Sequence, residues 1–246
     1  MTLALSWIIA SKDIKEFIRK RTVLYTVVLL PLMISVLFPL VLYYAGERSG
    51  GRLSANELPT LIESFSWFFV IIPAIVPTPI ASYSIVGEKV EKSLEPLLAA
   101  PITDGEILLG KAIAAFLPAI SATYMGAAIF MTGIDVVTHS RLGYYYFPDQ
   151  QIGVVLLVLA PLAVLLSIEL NVIASARVND VRTASQLGSM MFLPFIGIYL
   201  AGEIGIITLN TTNLLYIGAV LAAAVLILFR ISKATFRREE ILTKWR

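Results

Sequence analysis

The amino-acid sequence predicts an all-α membrane protein with six transmembrane helices, and three observations support that prediction. Apolar residues make up 58% of the 246 residues and charged residues only 15%. The mean hydropathy is +0.84, and a soluble domain of this length has no core large enough to bury so much apolar surface. Six stretches reach the roughly 20 mainly apolar residues that a bilayer-spanning helix needs.

Charged and polar residues separate the six predicted spans. The spans cover 22–45, 61–85, 107–132, 152–174, 184–202 and 214–230. Of the 19 Lys and Arg residues, sixteen lie in or next to the two terminal segments and the loops that follow spans two and four. Because positive charge is retained on the cytoplasmic side of membranes, we expect both termini and these two loops to be cytoplasmic.

The segment before the first span predicts an amphipathic helix that lies on the cytoplasmic leaflet. Its apolar face carries Trp7, Ile14, Phe17 and Ile18, and its basic residues are Lys12, Lys15 and Arg19. The alternative is a disordered basic leader. On the opposite side of the membrane, the aromatic run Tyr144–Phe147 is typical of an interface anchor.

The loop between the second and third spans, residues 87–101, has the pattern of a docking element. At helical spacing, its apolar residues share one face: Val90, Leu94, Leu97 and Leu98. Its charged residues lie on other faces: Glu88, Lys89, Lys92 and Glu95. Pro96 should interrupt the helix, so we expect two short pieces. Such a stripe suits a protein partner at the membrane surface; the alternative is an interfacial helix that only covers the bundle.

Residues Gly105–Ala112 match the phosphate-loop pattern of nucleotide-binding proteins up to its last position. Ala112 has no hydroxyl for magnesium, no strand is predicted before the loop, and the following helix enters the bilayer. Thr103 followed by Glu106 predicts a capping box instead, and Asp104 adds negative charge to the first helical turn. We therefore expect no nucleotide site and no ATPase machinery in this chain.

The supply of reactive side chains argues against an enzyme and against a metal centre. The chain has no cysteine and a single histidine, His139, so thiolate ligands are excluded and a histidine metal site is disfavoured. Inside the spans, Glu169 with the nearby Asn171 is the best candidate for lining a transport path, since a carboxylate in a membrane faces water or a partner. The alternatives for Glu169 are a structural polar contact and a salt bridge to Arg177 or Arg182.

Three stretches resemble the ABC-2 type permeases, the membrane-spanning subunits of ATP-binding-cassette exporters. They are Val86–Lys89 with Ser93–Pro101 and Gly110–Lys111, then Ala176–Gln186, and last Phe236–Leu242. Together with the six-span plan, the resemblance covers essentially the whole chain as one transmembrane domain, residues 1–246. It implies that segment 87–101 is a coupling helix that docks on a separate ATP-hydrolysing subunit.

The resemblance also implies sites, partners and localisation. The docking residues would be Gly87, Glu88, Lys89, Val90, Lys92, Leu94, Glu95, Leu97, Leu98 and Pro101. Two ATPase subunits would bind ATP and magnesium, and a second permease copy or homologue would complete a dimer in the plasma membrane. The chain itself would contact membrane lipid, bind no cofactor, metal or nucleic acid, and export a substrate. Sodium, an amphiphilic drug, a lipid and a polysaccharide precursor all stay open as that substrate.

The family places short re-entrant helices between the fifth and sixth spans. In this chain the connecting residues Glu203–Asn213 are few, so we expect at most a turn or two there.

Two rival classes of function stay open, and each lacks the residues it needs. An ion-coupled secondary transporter should carry several paired charges near the membrane midplane. A membrane-embedded enzyme, such as a lipid-modifying one, should carry a cluster of Asp, His or Ser groups at the interface. The sequence supplies neither pattern, which favours a non-catalytic permease.

Overall fold

The computed structural model describes residues 3–48, 57–88, 102–178, 180–190 and 192–235, and every regular element within these ranges is helical. Six segments are long and apolar enough to cross a membrane: Val23–Tyr44, Leu58–Ser82, Asp104–Ser140, Gln150–Ser175, Val181–Glu203 and Thr211–Lys233. Their ends lie within three residues of the predicted ones, except that the third segment continues past residue 132 to Ser140. For the described residues, the prediction of an all-α protein with six helices able to span a membrane is confirmed.

The first, third and sixth spans are single helices, and the others are built from shorter pieces. The helices are α1 (Leu3–Arg19), α2 (Arg21–Arg48), α3 (Glu57–Ser66), α4 (Phe68–Ile75), α5 (Thr78–Ser82), α6 (Asp104–Leu142), α7 (Gln150–Val154), α8 (Ala160–Arg177), α9 (Val181–Ser189), α10 (Phe192–Glu203) and α11 (Thr211–Thr235). Two π-helical turns complete the spans: Tyr83–Gly87 follows α5, and Val155–Leu159 joins α7 to α8. Helix α1 precedes the first span.

Helix α1 packs one face against the bundle and leaves the other exposed. Ile9, Ala10 and Phe17 are buried in an apolar cluster that also contains residues of α2, α5, α6 and α8. Trp7 and Ile18 are more than half exposed. The spacing predicted that Phe17 shares a face with Trp7 and Ile18, but Phe17 lies on a different, buried face. The reason is that α1 packs one side against α6. The helix excludes a disordered leader for residues 3–19, and its position on a membrane leaflet stays a prediction.

The second span is broken into short helices. Pro73 and Pro77 lack the backbone N–H that a continuous helix needs. A turn at Pro77 separates α4 from α5, and another turn at Trp67 separates α3 from α4. The Trp67 indole donates a hydrogen bond to the Phe195 carbonyl at 3.1 Å, which joins this turn to the fifth span.

Helix α6 is longer than a membrane crossing requires. Its 39 residues extend over about 58 Å at 1.5 Å per residue, and it ends at Gly143, whose φ of 76° favours glycine. The chain then folds back, because Asp135 Oδ1 accepts hydrogen bonds from the backbone N–H groups of Tyr146 and Phe147, both at 2.9 Å. Phe147 is buried against Phe130. Part of the predicted outer loop is thus helical, and the last residue of the predicted aromatic anchor packs inside the bundle.

The link between the fifth and sixth spans is a turn. Residues 204–210 contain no helix, and Gly205 adopts a φ of 79°. Asn213 Nδ2 donates to the Thr208 carbonyl at 2.7 Å and so fixes the start of α11. This geometry agrees with the expectation of at most a turn or two between these spans.

Candidate functional site

A cluster of buried charged groups lies where the chain leaves the second span. Helix α1, the π-helical turn with the residue after it, and the second turn of α6 each contribute to the cluster. We call this cluster the ionic lock, and its members are Lys12, Asp13, Ser84, Glu88 and Lys111. The lock therefore holds three separate parts of the chain together at the base of the loop predicted to dock a partner.

Lys111 is the centre of the ionic lock. Its side chain is only 1% exposed, and its ammonium lies 2.6 Å from Glu88 Oε2 and 3.5 Å from Asp13 Oδ2. The same ammonium donates to the Ser84 carbonyl at 2.6 Å. An ammonium withdrawn from water is stable only when such partners replace its hydration. The position of Lys111 therefore depends on α1 and on the end of the second span.

The two carboxylates of the lock differ in how well they are satisfied. Glu88 accepts from Lys111 on one oxygen and from Lys12 on the other, the second contact at 3.1 Å. Asp13 Oδ2 accepts from Ser84 Oγ at 3.2 Å, whereas Asp13 Oδ1 is buried and has no hydrogen-bond partner among the described residues. Two cations and two anions make the cluster formally neutral, with Asp13 as its least satisfied member.

The pKa values of the lock follow from this difference. Burial would raise the pKa of Glu88, but the attraction of Lys111 and Lys12 outweighs it and holds the pKa of this carboxyl below its ordinary value. Burial is also the largest influence on Asp13; it raises the pKa of this carboxyl although Lys111 opposes the rise. Burial lowers the pKa of Lys12, but Glu88 and the neighbouring carboxylates raise it overall.

A close approach of α1 and α6 accompanies the ion pairs. A Cβ on Gly110 would lie 2.8 Å from the Ser6 carbonyl oxygen and 2.9 Å from Ile9 Cβ. Only glycine allows the two helices this separation. The Gly110-Lys111 pair that completes the near match to a phosphate loop thus serves helix packing and an internal ion pair.

The loop 89–101 ends at a well-defined helix start. Thr103 Oγ1 accepts from the Glu106 backbone N–H at 3.3 Å, and Glu106 Oε2 accepts from the Thr103 N–H at 3.0 Å. This is the predicted capping box, with Asp104 and Glu106 as the acidic residues of the first turn. The loop is therefore bounded by the ionic lock on one side and by a capped helix on the other.

A second buried cluster, the polar knot, joins the second span to the fourth without any charge. Its members are Thr78, Ser82, Ser167 and Asn171. Ser82 Oγ donates to Asn171 Oδ1 at 2.8 Å, and Asn171 Nδ2 donates to the Ser167 carbonyl at 2.7 Å. The fifth span also contacts the knot, because Gly188 lies so close to the Asn171 side chain that a Cβ there would clash with Asn171 Oδ1.

The two candidates for a transport path are both buried. Asn171 is fully buried and engaged in the polar knot. Glu169 is 6% exposed and forms no ion pair with Arg182, while the Arg177 side chain lies outside the described part of the chain. A role of either residue in lining a path stays a prediction.

Two of the ten predicted docking residues, Gly87 and Glu88, lie within the described ranges. Glu88 is 5% exposed and paired with Lys111, so its carboxylate faces the bundle and its predicted contact with a partner stays a prediction. The other eight lie outside the described residues: Lys89, Val90, Lys92, Leu94, Glu95, Leu97, Leu98 and Pro101.

Sequence reasoning missed Asp13 and the pairing of Lys111. One signal for Asp13 was available, because at helical spacing it falls between Ile9, Ala10 and Phe17, on the face that the structure buries. A carboxylate in an apolar stripe indicates a buried partner. Nothing local indicated that this partner would be Lys111 of α6.

Comparisons with known proteins agree on one family. A family model described as "ABC-2 family transporter protein" matches residues 7–241. The chain is also similar to the probable ABC transporter permease protein NosY of Stutzerimonas stutzeri, with 23% identity over 204 residues. That alignment covers 78% of this chain and 67% of the relative.

Proposed function

The chain belongs to the ABC-2 family of transporter proteins, and we propose that it is the permease subunit of an ATP-binding-cassette exporter. It is a multi-pass membrane protein. In this proposal the helical bundle forms the translocation pathway and performs no covalent chemistry. ATP hydrolysis by a separate subunit drives the bundle between inward-facing and outward-facing states.

One observation carries the proposal: the described residues on either side of segment 89–101 are held by the bundle. Glu88 is held by Lys111 at 2.6 Å on one side, and Thr103 caps α6 on the other. A partner that displaces the loop would therefore also displace the second and third spans, and the loop would not move alone. This is what a coupling element needs, and it supports Gly87 to Pro101 as the docking segment.

The broken second span supports a bundle with two arrangements. Helices bend most readily where backbone hydrogen bonds are missing, and proline removes them. The turn at Pro77 lies between the inner pieces of this span and α4. We expect the inner part of the span, with the ionic lock and the polar knot, to tilt about this turn.

The partners follow from the same proposal. Two ATPase subunits bind ATP and magnesium, and a second permease copy or homologue completes the transporter. The similar protein of Stutzerimonas stutzeri is a probable ABC transporter permease, which supports such an arrangement. The charge distribution supports a cytoplasmic position for both termini and for the docking segment, with the protein in the plasma membrane. Substrate moves outward along a path near Glu169 and Asn171.

The test of docking is to change Leu94 and Leu97 to Asp and to capture the ATPase subunit with the tagged permease. We expect association to be lost, because the apolar contacts of the segment are replaced by buried carboxylates. The matched control changes Ile204 and Ile206, which are 70% and 73% exposed in the turn between α10 and α11, to Asp. Undiminished capture by the Leu94/Leu97 variant would contradict the proposal.

A second test concerns the side of the membrane. The chain contains no cysteine, so a single Val90→Cys substitution introduces the only thiol. In sealed vesicles of known orientation, we expect an impermeant maleimide to label it from the cytoplasmic face. Labelling from the outer face would exclude docking on a cytoplasmic ATPase.

A further inference from the structure

We propose that Lys111 is a positioning residue that fastens α1 to the base of the docking segment, so that α1 moves with the segment and passes this motion to the first span. This inference rests on the proposed function. It assigns α1 a part in transmission, in addition to any anchoring of the chain at the membrane surface.

Two contacts on one face of α1 attach this helix to the end of the second span. Asp13 reaches Lys111 at 3.5 Å and Ser84 at 3.2 Å. One helical turn further along, Phe17 packs edge-on against the Tyr83 ring, with centroids 6.5 Å apart. Because both Ser84 and Tyr83 belong to the π-helical turn before Glu88, α1 follows the end of the second span.

The connection from α1 to the first span is very short. Helix α1 ends at Arg19 and α2 begins at Arg21, so a single residue, Lys20, separates them. The Lys20 ammonium lies 2.7 Å from Glu16 and 3.5 Å from the centroid of the Tyr83 ring. The junction of the two helices therefore also contacts the end of the second span, and a rigid displacement of α1 displaces the start of α2.

Separating α1 from the end of the second span and from α6 would be energetically costly. Lys111, Asp13 and Glu88 are each at most 7% exposed at the side chain, and Gly110 holds α6 against the α1 backbone. A movement of the loop that left α1 behind would strand a buried ammonium or a buried carboxylate without its partner, which is strongly unfavourable. Joint movement keeps every ion pair intact and is the lower-energy course.

The experiment measures distances between spin labels in the permease–ATPase complex in lipid nanodiscs, with one labelled permease copy per complex. The labels replace Lys92 in the docking segment, Ile8 on the exposed face of α1 or Tyr25 near the start of α2. Each is paired with a label at Ile231 in α11; Ile8, Tyr25 and Ile231 are 64%, 60% and 42% exposed. Distances are compared without nucleotide and after trapping with ATP and vanadate.

In the parent chain we expect all three distances to shift on trapping. In the neutral variant Asp13→Asn/Glu88→Gln/Lys111→Met, we expect the Lys92 distance still to shift and the shifts at Ile8 and Tyr25 to be lost. The matched control is Lys15→Met, which removes an exposed lysine of the same helix and should leave all three shifts unchanged. The triple variant avoids the unpaired buried charges of Lys111→Met alone, and its thermal stability is checked before labelling.

Failure of the inference differs from failure of the proposed function. If Lys92 shifts in the parent while Ile8 does not, or if the triple variant keeps the parent shift at Ile8 or Tyr25, α1 is not driven through Lys111 and the inference is overturned. If Lys92 does not shift in the parent, the docking segment is not moved by the ATPase. The proposed function then fails, and the inference fails with it.

Discussion

The ionic lock and the polar knot both join three parts of the chain through buried polar groups, but they do so with different chemistry. The lock places a buried ammonium between two carboxylates, at the end of the second span. The knot uses the neutral amide of Asn171 and three hydroxyls, between the second and fourth spans. The charged cluster includes the partly exposed Lys12, whereas all four members of the neutral cluster are buried.

This difference between charged and neutral groups determines how each cluster should respond to substitution. Removing the charge of Lys111 or of Glu88 leaves the other buried without its partner, which costs far more than the pair contributes. Removing one hydrogen bond from the knot costs the desolvation of a neutral group, about 1–3 kcal/mol. The lock should therefore behave as a single unit, while the knot should tolerate graded change and depend chiefly on the fit of its groups.

The largest effect is expected for Lys111→Met. It leaves the Glu88 and Asp13 carboxylates together in a buried site, and we expect a loss of about 3–5 kcal/mol in the free energy of unfolding. Unfolding in detergent is followed by tryptophan fluorescence. The control is the triple variant Asp13→Asn/Glu88→Gln/Lys111→Met, which removes the charges together and should regain most of that loss. Equal stability of the two variants would show that packing, and not charge balance, governs the lock.

The next largest effect is expected for Gly188→Ala in the fifth span. The new methyl group would clash with Asn171 Oδ1, so α9 must move away from α8, at a cost of about 1–3 kcal/mol. The matched control is Gly197→Ala in α10, where a Cβ meets nothing within 4 Å; it should be neutral or slightly stabilising. Adding Asn171→Ala to Gly188→Ala should recover part of the loss in a double-mutant cycle. An additive result would mean that the knot does not depend on this contact.

A smaller effect is expected for Thr103→Ala, which tests whether the loop boundary is set by the helix cap as well as by the lock. Loss of the capping box should reduce the free energy of unfolding by about 1 kcal/mol. Thr132→Ala is the matched control, since the exposed Thr132 hydroxyl only bonds to the Ala128 carbonyl within α6; its cost should be below about 0.5 kcal/mol. Equal costs for both variants would show that the helix cap at Thr103 does not help to set the loop boundary.

The smallest effect is on the pH dependence of stability, to which the two carboxylates of the lock contribute with opposite sign. Because burial raises the pKa of Asp13, its ionised form costs stability, and this cost is relieved as the pH falls through the raised value. Because Lys111 and Lys12 lower the pKa of Glu88, its contribution is present above the ordinary carboxyl range and is lost as the pH falls through the lowered value. Mild acid should therefore favour the lock and strong acid should weaken it.

Asp13→Asn is the variant that checks this pH dependence. It should remove the gain in the melting temperature on going from neutral to mildly acidic buffer, and it should leave the loss at strongly acidic pH. Parent and variant curves of the same shape would show that Asp13 does not titrate as described.

The six spans, their approximate ends and the capping box were all available from the sequence because the physics behind them is local. A run of about 20 apolar residues is readable wherever it occurs, and Thr103 acts on a residue three positions away. The breaks of the second span were only partly available: its prolines are visible, but the site of each break is not. The extension of α6 beyond residue 132 was missed because its polar residues, including Asp135, are satisfied by contacts of the folded chain.

The candidate site divides in the same way. The spacing of its residues predicted that segment 87–101 docks a partner, and the motif singled out Glu88, before any contact was known; the docking itself stays a prediction. That Glu88 faces inward depends on Lys111 and on Lys12, which lie 23 and 76 residues away in the chain. Likewise, Asn171 was singled out as polar in an apolar helix, while its engagement with Ser82, 89 residues away, depends on how the spans pack.

The sequence by itself thus determined the membrane class, the number of candidate spans, the helix start at Thr103 and the family. These depend on hydrophobicity, charge bias and spacing, which each act over a few residues or add along the chain. Only the tertiary structure decided that α1 belongs to the lock, that Lys111 is its centre and that Asn171 joins two spans. Ion pairs and hydrogen bonds between distant residues are set by the three-dimensional approach of helices, and a buried charge has a specific partner only once that approach is known.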